Sequence, residues 1–316
     1  MYEFGIGRLR DEFGLDPVEY PTTRSAEATP AERARDVEAA FADTSVRAVI
    51  ATIGGEDEIK VLRHLDPLVI QANPKPFLGY SDNTNLHLFL WNLGLVSYYG
   101  GSLMVELGRR GEIHPYTRHG LERALFGRGP AEVVGASEST DESADWAGFD
   151  ESDPPPILSA AEPLSWHGRE VFVTGPGWGG CLEIVDFHLR AGRHIAEPEV
   201  YRGGILFLET SEELPSASYV YRVLMGMGER GMLQMFAAVL WGRPKAWSLE
   251  QPSAPDWKTS YVREQQDAVL KAVEEYSPGT PVVFGLDFGH TDPQTTLPSG
   301  GEISIDSVRR RIEAVY

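Results

Sequence analysis

The chain has 316 residues, 42% of them hydrophobic, and a formal charge of −19 at pH 7. That length and apolar fraction allow a large core and two domains. The acidic balance argues against a nucleic-acid partner, which needs clustered Lys and Arg to displace counterions.

Helix-like and strand-like stretches alternate from the start. Residues 6–14 read as a helix, 18–20 as a short strand, and Thr29-Pro30 opens a helix that runs to about Ala42. A strand at 46–52, a helix at 57–65, a strand at 76–80, a helix begun by Asn83-Thr84, a strand at 95–99 and a helix at 115–126 come next. Such alternation predicts an α/β fold with a mainly parallel sheet covered by helices.

Residues 129–168 break the pattern. They hold no Lys or Arg, eight acidic residues between Glu132 and Asp153, and three consecutive prolines at 154–156, the composition of an acidic linker or loop. This divides the chain into an N-terminal domain 1–128, the linker 129–168 and a C-terminal domain 169–316. Trp146 and Trp166 flank the linker and either staple it to a domain or form an aromatic wall for a ring-bearing substrate group. Beyond it, strands are expected near 170–174, 204–209, 244–248, 281–285 and 302–306, and helices near 216–229 and 256–276.

Three segments carry chemistry. Residues 76–87 form a buried strand that breaks at Gly79 into Ser81, directly before a helix, which is the pattern of a nucleophile elbow. Glu209 ends the apolar strand 204–209, where α/β sites collect. A second apolar strand, 281–285, runs into a glycine-bracketed loop that ends in His290. Ser81, Glu209 and His290 are thus candidates for a triad, whose chain order is free because only geometry matters. Gly54-Gly55, after the strand 46–51, lets backbone approach a substrate without a Cβ in the way. Ser102, also preceded by glycines, is the rival nucleophile, although its helix signal is weaker.

Gly-Tyr-Ser-Asp-Asn-Thr (79–84), Ile-Leu-Phe-Leu-Glu-Thr-Ser-Glu-Glu (205–213) and Gly-Leu-Asp-Phe-Gly-His (285–290) resemble the three signature blocks of the LD-carboxypeptidases, the serine peptidase family that includes the microcin C immunity proteins. The resemblance extends to 51–57, 98–104 and 178–183. It implies Ser81 as nucleophile, His290 as general base and acid, and Glu209 as the carboxylate that orients the imidazole. It further implies an oxyanion hole of backbone N–H groups at Gly55 and Asp82, with Gly54, Glu56, Ser102, Trp146, Trp166 and Ser211 as candidate substrate contacts. The implied fold is a flavodoxin-like N-terminal domain, of the class I glutamine amidotransferase type, followed by a small β-rich swivelling α/β domain. One departure is evident: the chain opens on a helix, where family members have a strand and a Ser/Pro-rich turn, so a gap in the N-terminal sheet is expected.

The remaining readings concern chemistry and place. His188 and His194 do not share a helical face, Cys181 has no partner and His-Glu-x-x-His is absent, so neither metal nor other cofactor is expected. The single cysteine excludes an intrachain disulfide and fits a reducing compartment. With no leader and no apolar run of membrane-spanning length, a cytoplasmic location without membrane contact is expected; the expected assembly is a homodimer. Within the family, the expected substrate is a peptidyl or aminoacyl nucleotide of the microcin C type, the alternatives being a peptidoglycan tetrapeptide or a catalytically silent, ligand-binding protein.

Overall fold

A computed structural model describes residues 1–143, 150 and 152–316. Four strands form a small sheet in the order Val49–Ile50, Phe77–Gly79, Ser97–Tyr99 and Leu297–Ser299. The first three are parallel; the fourth comes from the C-terminal half and pairs antiparallel with Ser97–Tyr99. Side chains alternate across a strand, so Phe77 joins Phe41, Ile70 and Leu86 on one face while Leu78 joins Ile6, Leu9 and Leu121 on the other.

Eight strands form the large sheet, in the order Pro130–Glu132, Arg311–Val315, Glu302–Asp306, Phe172–Cys181, Ile205–Glu209, Ala238–Gly242, Val282–Leu286 and Ser165–His167. The four strands from Phe172–Cys181 to Val282–Leu286 are parallel and the flanking pairs antiparallel. Helices Leu182–Ala191, Ala217–Glu229 and Pro255–Tyr276 belong to this half. Trp178, Leu206 and Trp241 pack on one face with Val223 and Val269, and Phe207, Leu240 and Val283 pack on the other with Tyr99 and Phe288. Among the described residues no helix is long and apolar enough to cross a membrane.

Several helices start where the sequence predicts. Pro30–Ala42 opens on a reciprocal cap between Thr29 and Glu32, with Pro30 at a position where its missing N–H costs nothing. Pro115–Phe126, Ala217–Glu229 and Pro255–Tyr276 also lie within a residue or two of expectation.

Other elements differ. No strand is found at 18–20, where Pro17 and Pro21 bracket the segment and each lacks a ladder donor. The helix expected at 57–65 is two 3₁₀ turns, Glu58–Lys60 and Leu62–His64. The α-helix starts later, at Pro67, where Asp66 accepts from the Leu68 N–H. The strand expected at 244–248 lies at Ala238–Gly242 instead, a fully buried apolar run that ends before Pro244. Helix Leu182–Ala191 and strand Arg311–Val315 were not foreseen. Segment 129–168 supplies both edge strands of the large sheet, and a proline suits such an edge at Pro130.

Candidate active site

Parallel strands that end together bring the loops beyond their carboxyl ends to one edge of the sheet. Cys181 is in register with Glu209, and Gly242 with Leu286. The residues after Leu286 therefore emerge beside Glu209. The small sheet contributes the turn after Gly79.

That turn is tightly held. Ser81 has φ +61, in the left-handed region, which costs a non-glycine residue about 1–2 kcal/mol and persists only where neighbours enforce it. Helix Thr84–Asn92 follows a 3₁₀ turn at Ser81–Asn83. The Asn83 amide donates to the carbonyls of Ile53 and Tyr80, tying the Gly54 loop to the turn. Asn85 donates to Asp82 and its Oδ1 meets His188 Nε2 at 2.7 Å, while the Thr84 hydroxyl accepts the Cys181 N–H. His87 is fully buried, which pulls its pKa down to about 4. Being neutral, it donates from Nε2 to the Gly79 carbonyl and accepts at Nδ1 from the Ser97 hydroxyl.

Ser81, His290 and Glu209 come together. His290 Nε2 lies 3.0 Å from Ser81 Oγ, and His290 Nδ1 lies 2.7 Å from Glu209 Oε2. Glu209 is completely buried. Its other oxygen accepts from the Tyr99 hydroxyl at 2.6 Å, and Tyr99 Oη accepts the Ser81 N–H at 3.2 Å. Burial and Glu209 push the Tyr99 phenol far up, so it stays a donor. Gly289 has φ +132, and a Cβ there would lie 2.5 Å from Glu209 Oε2. Only glycine lets the 287–290 loop pass the carboxylate this closely.

A second carboxylate reaches the imidazole: Glu212 Oε2 is 3.1 Å from His290 Nε2. Burial opposes the charged imidazole, but Glu209 and Glu212 outweigh it and push the His290 pKa up to about 9. Glu212 is lowered by His290 against the opposing effect of burial.

The other predicted residues fall in three groups. A Cβ on Gly54 would stand 3.2 Å from Ser81 Oγ and 3.7 Å from the Asp82 nitrogen, so the Gly54-Gly55 loop lies directly against the serine. Asp82 is buried and its carboxylate accepts from the Glu58 N–H. Glu56 is exposed on the same loop. Ser102 is buried and donates to Glu106, and Ser211 is buried and donates to Glu183, so both hydroxyls serve other partners. Trp166 lies on an edge strand opposite Val283, packed into the core rather than on the cavity wall. Trp146 lies outside the described residues.

A cavity of about 430 Å³ opens beside His290. Its walls include Tyr80, Glu106, Arg109, Glu212, Lys245 and Trp247. Helix Tyr2–Asp11 supports one wall, because buried Arg8 donates to the carbonyls of Leu107, Arg109 and Gly111. Lys245 is 5% exposed and donates to Ser143 and to the His290 carbonyl. Sequence reading missed Tyr99, Glu106, Glu212, Lys245 and Trp247. Only Tyr99 and Glu212 stand inside the blocks that carry the family resemblance.

An elbow serine bonded to a histidine and a buried carboxylate, beside a cavity at the carboxyl ends of parallel strands, is the geometry of a hydrolase. Residues 1–100 match the LD-carboxypeptidase N-terminal domain and residues 174–305 the LD-carboxypeptidase C-terminal domain. A Streptomyces coelicolor protein named as a carboxypeptidase is 30% identical over 315 residues, 96% of this chain and 84% of its own length. The microcin C7 self-immunity protein of Escherichia coli is 25% identical over 286 residues, covering 89% of this chain and 77% of its own. A crystal structure of an MccF-like protein from Streptococcus pneumoniae superposes with a TM-score of 0.86 at 24% identity, over 100% of this chain and 93% of that one. The chain belongs to the LD-carboxypeptidase family and is a peptidase of that family.

Proposed function

We propose that Ser81, His290 and Glu209 are the catalytic triad of an amide hydrolase acting on a peptidyl or aminoacyl nucleotide. The observation that carries the triad is the unbroken hydrogen-bonded path from Ser81 Oγ through His290 to Glu209. His290 Nε2 takes the Ser81 proton as Oγ attacks the amide carbon, and Nε2 then returns it to the leaving amine. Glu209 orients the ring and stabilises the imidazolium. The N–H groups of Gly55 and Asp82, on the loop and turn that flank Ser81 Oγ, receive the developing oxyanion. Water repeats the sequence on the acyl-enzyme.

The nucleotide branch is supported by the cavity lining, which combines an aromatic side chain, Trp247, with the cationic side chains of Lys245 and Arg109, the kinds of group that suit a base and a phosphate. The Streptococcus pneumoniae relative was solved in complex with AMP. The reading includes a homodimer and a reducing cytoplasm, the latter in keeping with a chain whose single cysteine, Cys181, is buried; light scattering and fractionation test these. The deciding experiment incubates the protein with an aminoacyl sulfamoyl adenosine and with a tetrapeptide muropeptide. Cleavage of the first supports the reading, cleavage of the muropeptide alone moves the substrate to peptidoglycan, and binding without cleavage makes this a silent member.

A further inference from the structure

His290 faces two carboxylates, and they are not equivalent. Glu209 is fully buried behind Nδ1, held by Tyr99. Glu212 faces Nε2 from the cavity wall, with 55% of its side chain still exposed. Nε2 is the atom that must offer a lone pair to the Ser81 hydroxyl. A carboxylate oxygen 3.1 Å away repels that lone pair and binds the N–H of an imidazolium. Free Glu212 therefore favours the one protonation state in which His290 cannot act as a base.

Among the described residues, the charged groups that act most strongly on His290 are Glu209 at the end of its strand, Glu212 in the loop after it, and Lys245 from the loop after Ala238–Gly242. Glu106, Arg109, Arg110, Glu142 and Asp292 line the same cavity. The elbow contributes only the Tyr80 ring, at 5.1 Å, and the Ser81 hydroxyl. Lys245 donates to Ser143 and to the His290 carbonyl, and its charge also favours the ionised Glu212. A further cation entering the cavity is what can draw Glu212 off Nε2.

We propose that Glu212 is a specificity-determining residue that exchanges the His290 imidazole for a protonated amine on the acyl side of the substrate. The proposal rests on the Ser81–His290 reading. A carbonyl carbon poised for attack sits roughly 3–3.5 Å from Ser81 Oγ, and Glu212 Oε2 is one hydrogen bond beyond the atom that activates that oxygen. An α-amine, one carbon from the carbonyl, falls within reach of Glu212. Binding it removes the second negative charge from Nε2, so the cationic substrate itself makes the histidine basic and unprotonated. A substrate with a blocked amine leaves the inhibitory pair in place.

The test compares an aminoacyl sulfamoyl adenosine carrying a free α-amine with its N-acetyl derivative, using the wild type and Glu212→Gln. The wild type should favour the free amine at least tenfold in kcat/KM. Glu212→Gln should reduce that preference to about threefold or less, mainly by gaining activity on the acetylated compound near neutral pH. A wild type indifferent to acetylation, or an unchanged preference in the variant, overturns the proposal. A second measurement does not depend on turnover: NMR titration of His290 and ligand affinity in Ser81→Ala, with and without Glu212→Gln. The His290 midpoint should fall by at least one pH unit on removing the Glu212 charge, and the free-amine compound should lose affinity selectively. A midpoint that does not move, or equal losses for both compounds, also overturns it. If Ser81→Ala keeps full activity, the triad reading has failed, and the titration still decides whether Glu212 pairs with His290 and binds the amine.

Discussion

Tyr99 and Glu209 are joined by a 2.6 Å hydrogen bond, and the same tyrosine oxygen accepts the Ser81 N–H, so one side chain ties the elbow of the small sheet to the carboxylate of the large one. All three partners lie where water is excluded or scarce. Tyr99→Phe keeps the ring and removes the bridge, leaving a carboxylate oxygen and an amide hydrogen without partners at about 1–3 kcal/mol each. Thermal unfolding should show a loss of roughly 5 °C or more, and kcat should fall by about 10- to 100-fold. A lower melting temperature with kcat intact would make Tyr99 a structural strut and nothing more.

Replacing Ser81 separates chemistry from strain. Ser81→Ala should lower hydrolysis by several orders of magnitude, as removal of other triad serines does, with no loss of secondary structure. Ser81→Gly should be equally inactive yet more stable, by up to about 1–2 kcal/mol, since glycine occupies the left-handed region without the steric cost that serine bears at φ +61. Activity above about a tenth of wild type in either variant would place the nucleophile elsewhere.

Gly289→Ala probes the approach of the histidine loop. The added methyl would overlap Glu209 Oε2 at a φ unfavourable to any side chain, so either the loop or the carboxylate must move. Because a 1 Å displacement of a catalytic group costs on the order of 100-fold in rate, kcat should drop by that amount even where folding survives. A crystal structure of the variant should show His290 Nδ1 and Glu209 Oε2 beyond hydrogen-bond distance.

How much could be read in the sequence depends on how local each signal is. The cap at Thr29-Pro30, the elbow after Gly79 and the strand-end positions of Glu209 and His290 are written in neighbouring residues, and the structure brings the last three side chains together. Helix Leu182–Ala191 was not foreseen because it follows strand Phe172–Cys181 with no connecting loop, and the Gly-Pro-Gly-Trp-Gly-Gly run before Cys181 carries turn residues where the structure has strand. Ser102 meets Glu106 only four residues on, but the Glu183 partner of Ser211 and the wall that Glu106 forms with Lys245 and Trp247 depend on contacts across the fold that no local period encodes.

The raised His290 pKa has a kinetic consequence. On a substrate with no cation to offer Glu212, kcat/KM should climb as pH rises and reach half its maximum near 9, because the unprotonated imidazole is the base and the free enzyme holds its proton up to that point. A pH profile with its acid limb near 6.5 would mean that the two carboxylates do not govern this histidine.

Glu106 offers a test in stability rather than rate. It is 7% exposed at the cavity wall, and its Oε2 accepts from the Ser102 N–H at 2.7 Å and from the Ser102 hydroxyl at 3.0 Å. Those bonds favour the carboxylate, but burial is the larger effect and pushes the pKa up to about 7 from 4.5. In the unfolded chain the group loses its proton near 4.5, while the folded protein keeps it until about 7. Folding therefore takes up a proton between these values, so stability from this group is fully present below 4.5, declines as pH rises through the window and is lost above 7. The shift corresponds to a decline on the order of 3 kcal/mol. Glu106→Gln cannot titrate, yet its amide oxygen can still accept from Ser102. Denaturant unfolding at about pH 5 and about pH 8 should show the variant gaining on the wild type at the higher pH by an amount of that order. An equal difference between the two proteins at both values would show that Glu106 ionises as freely in the fold as outside it.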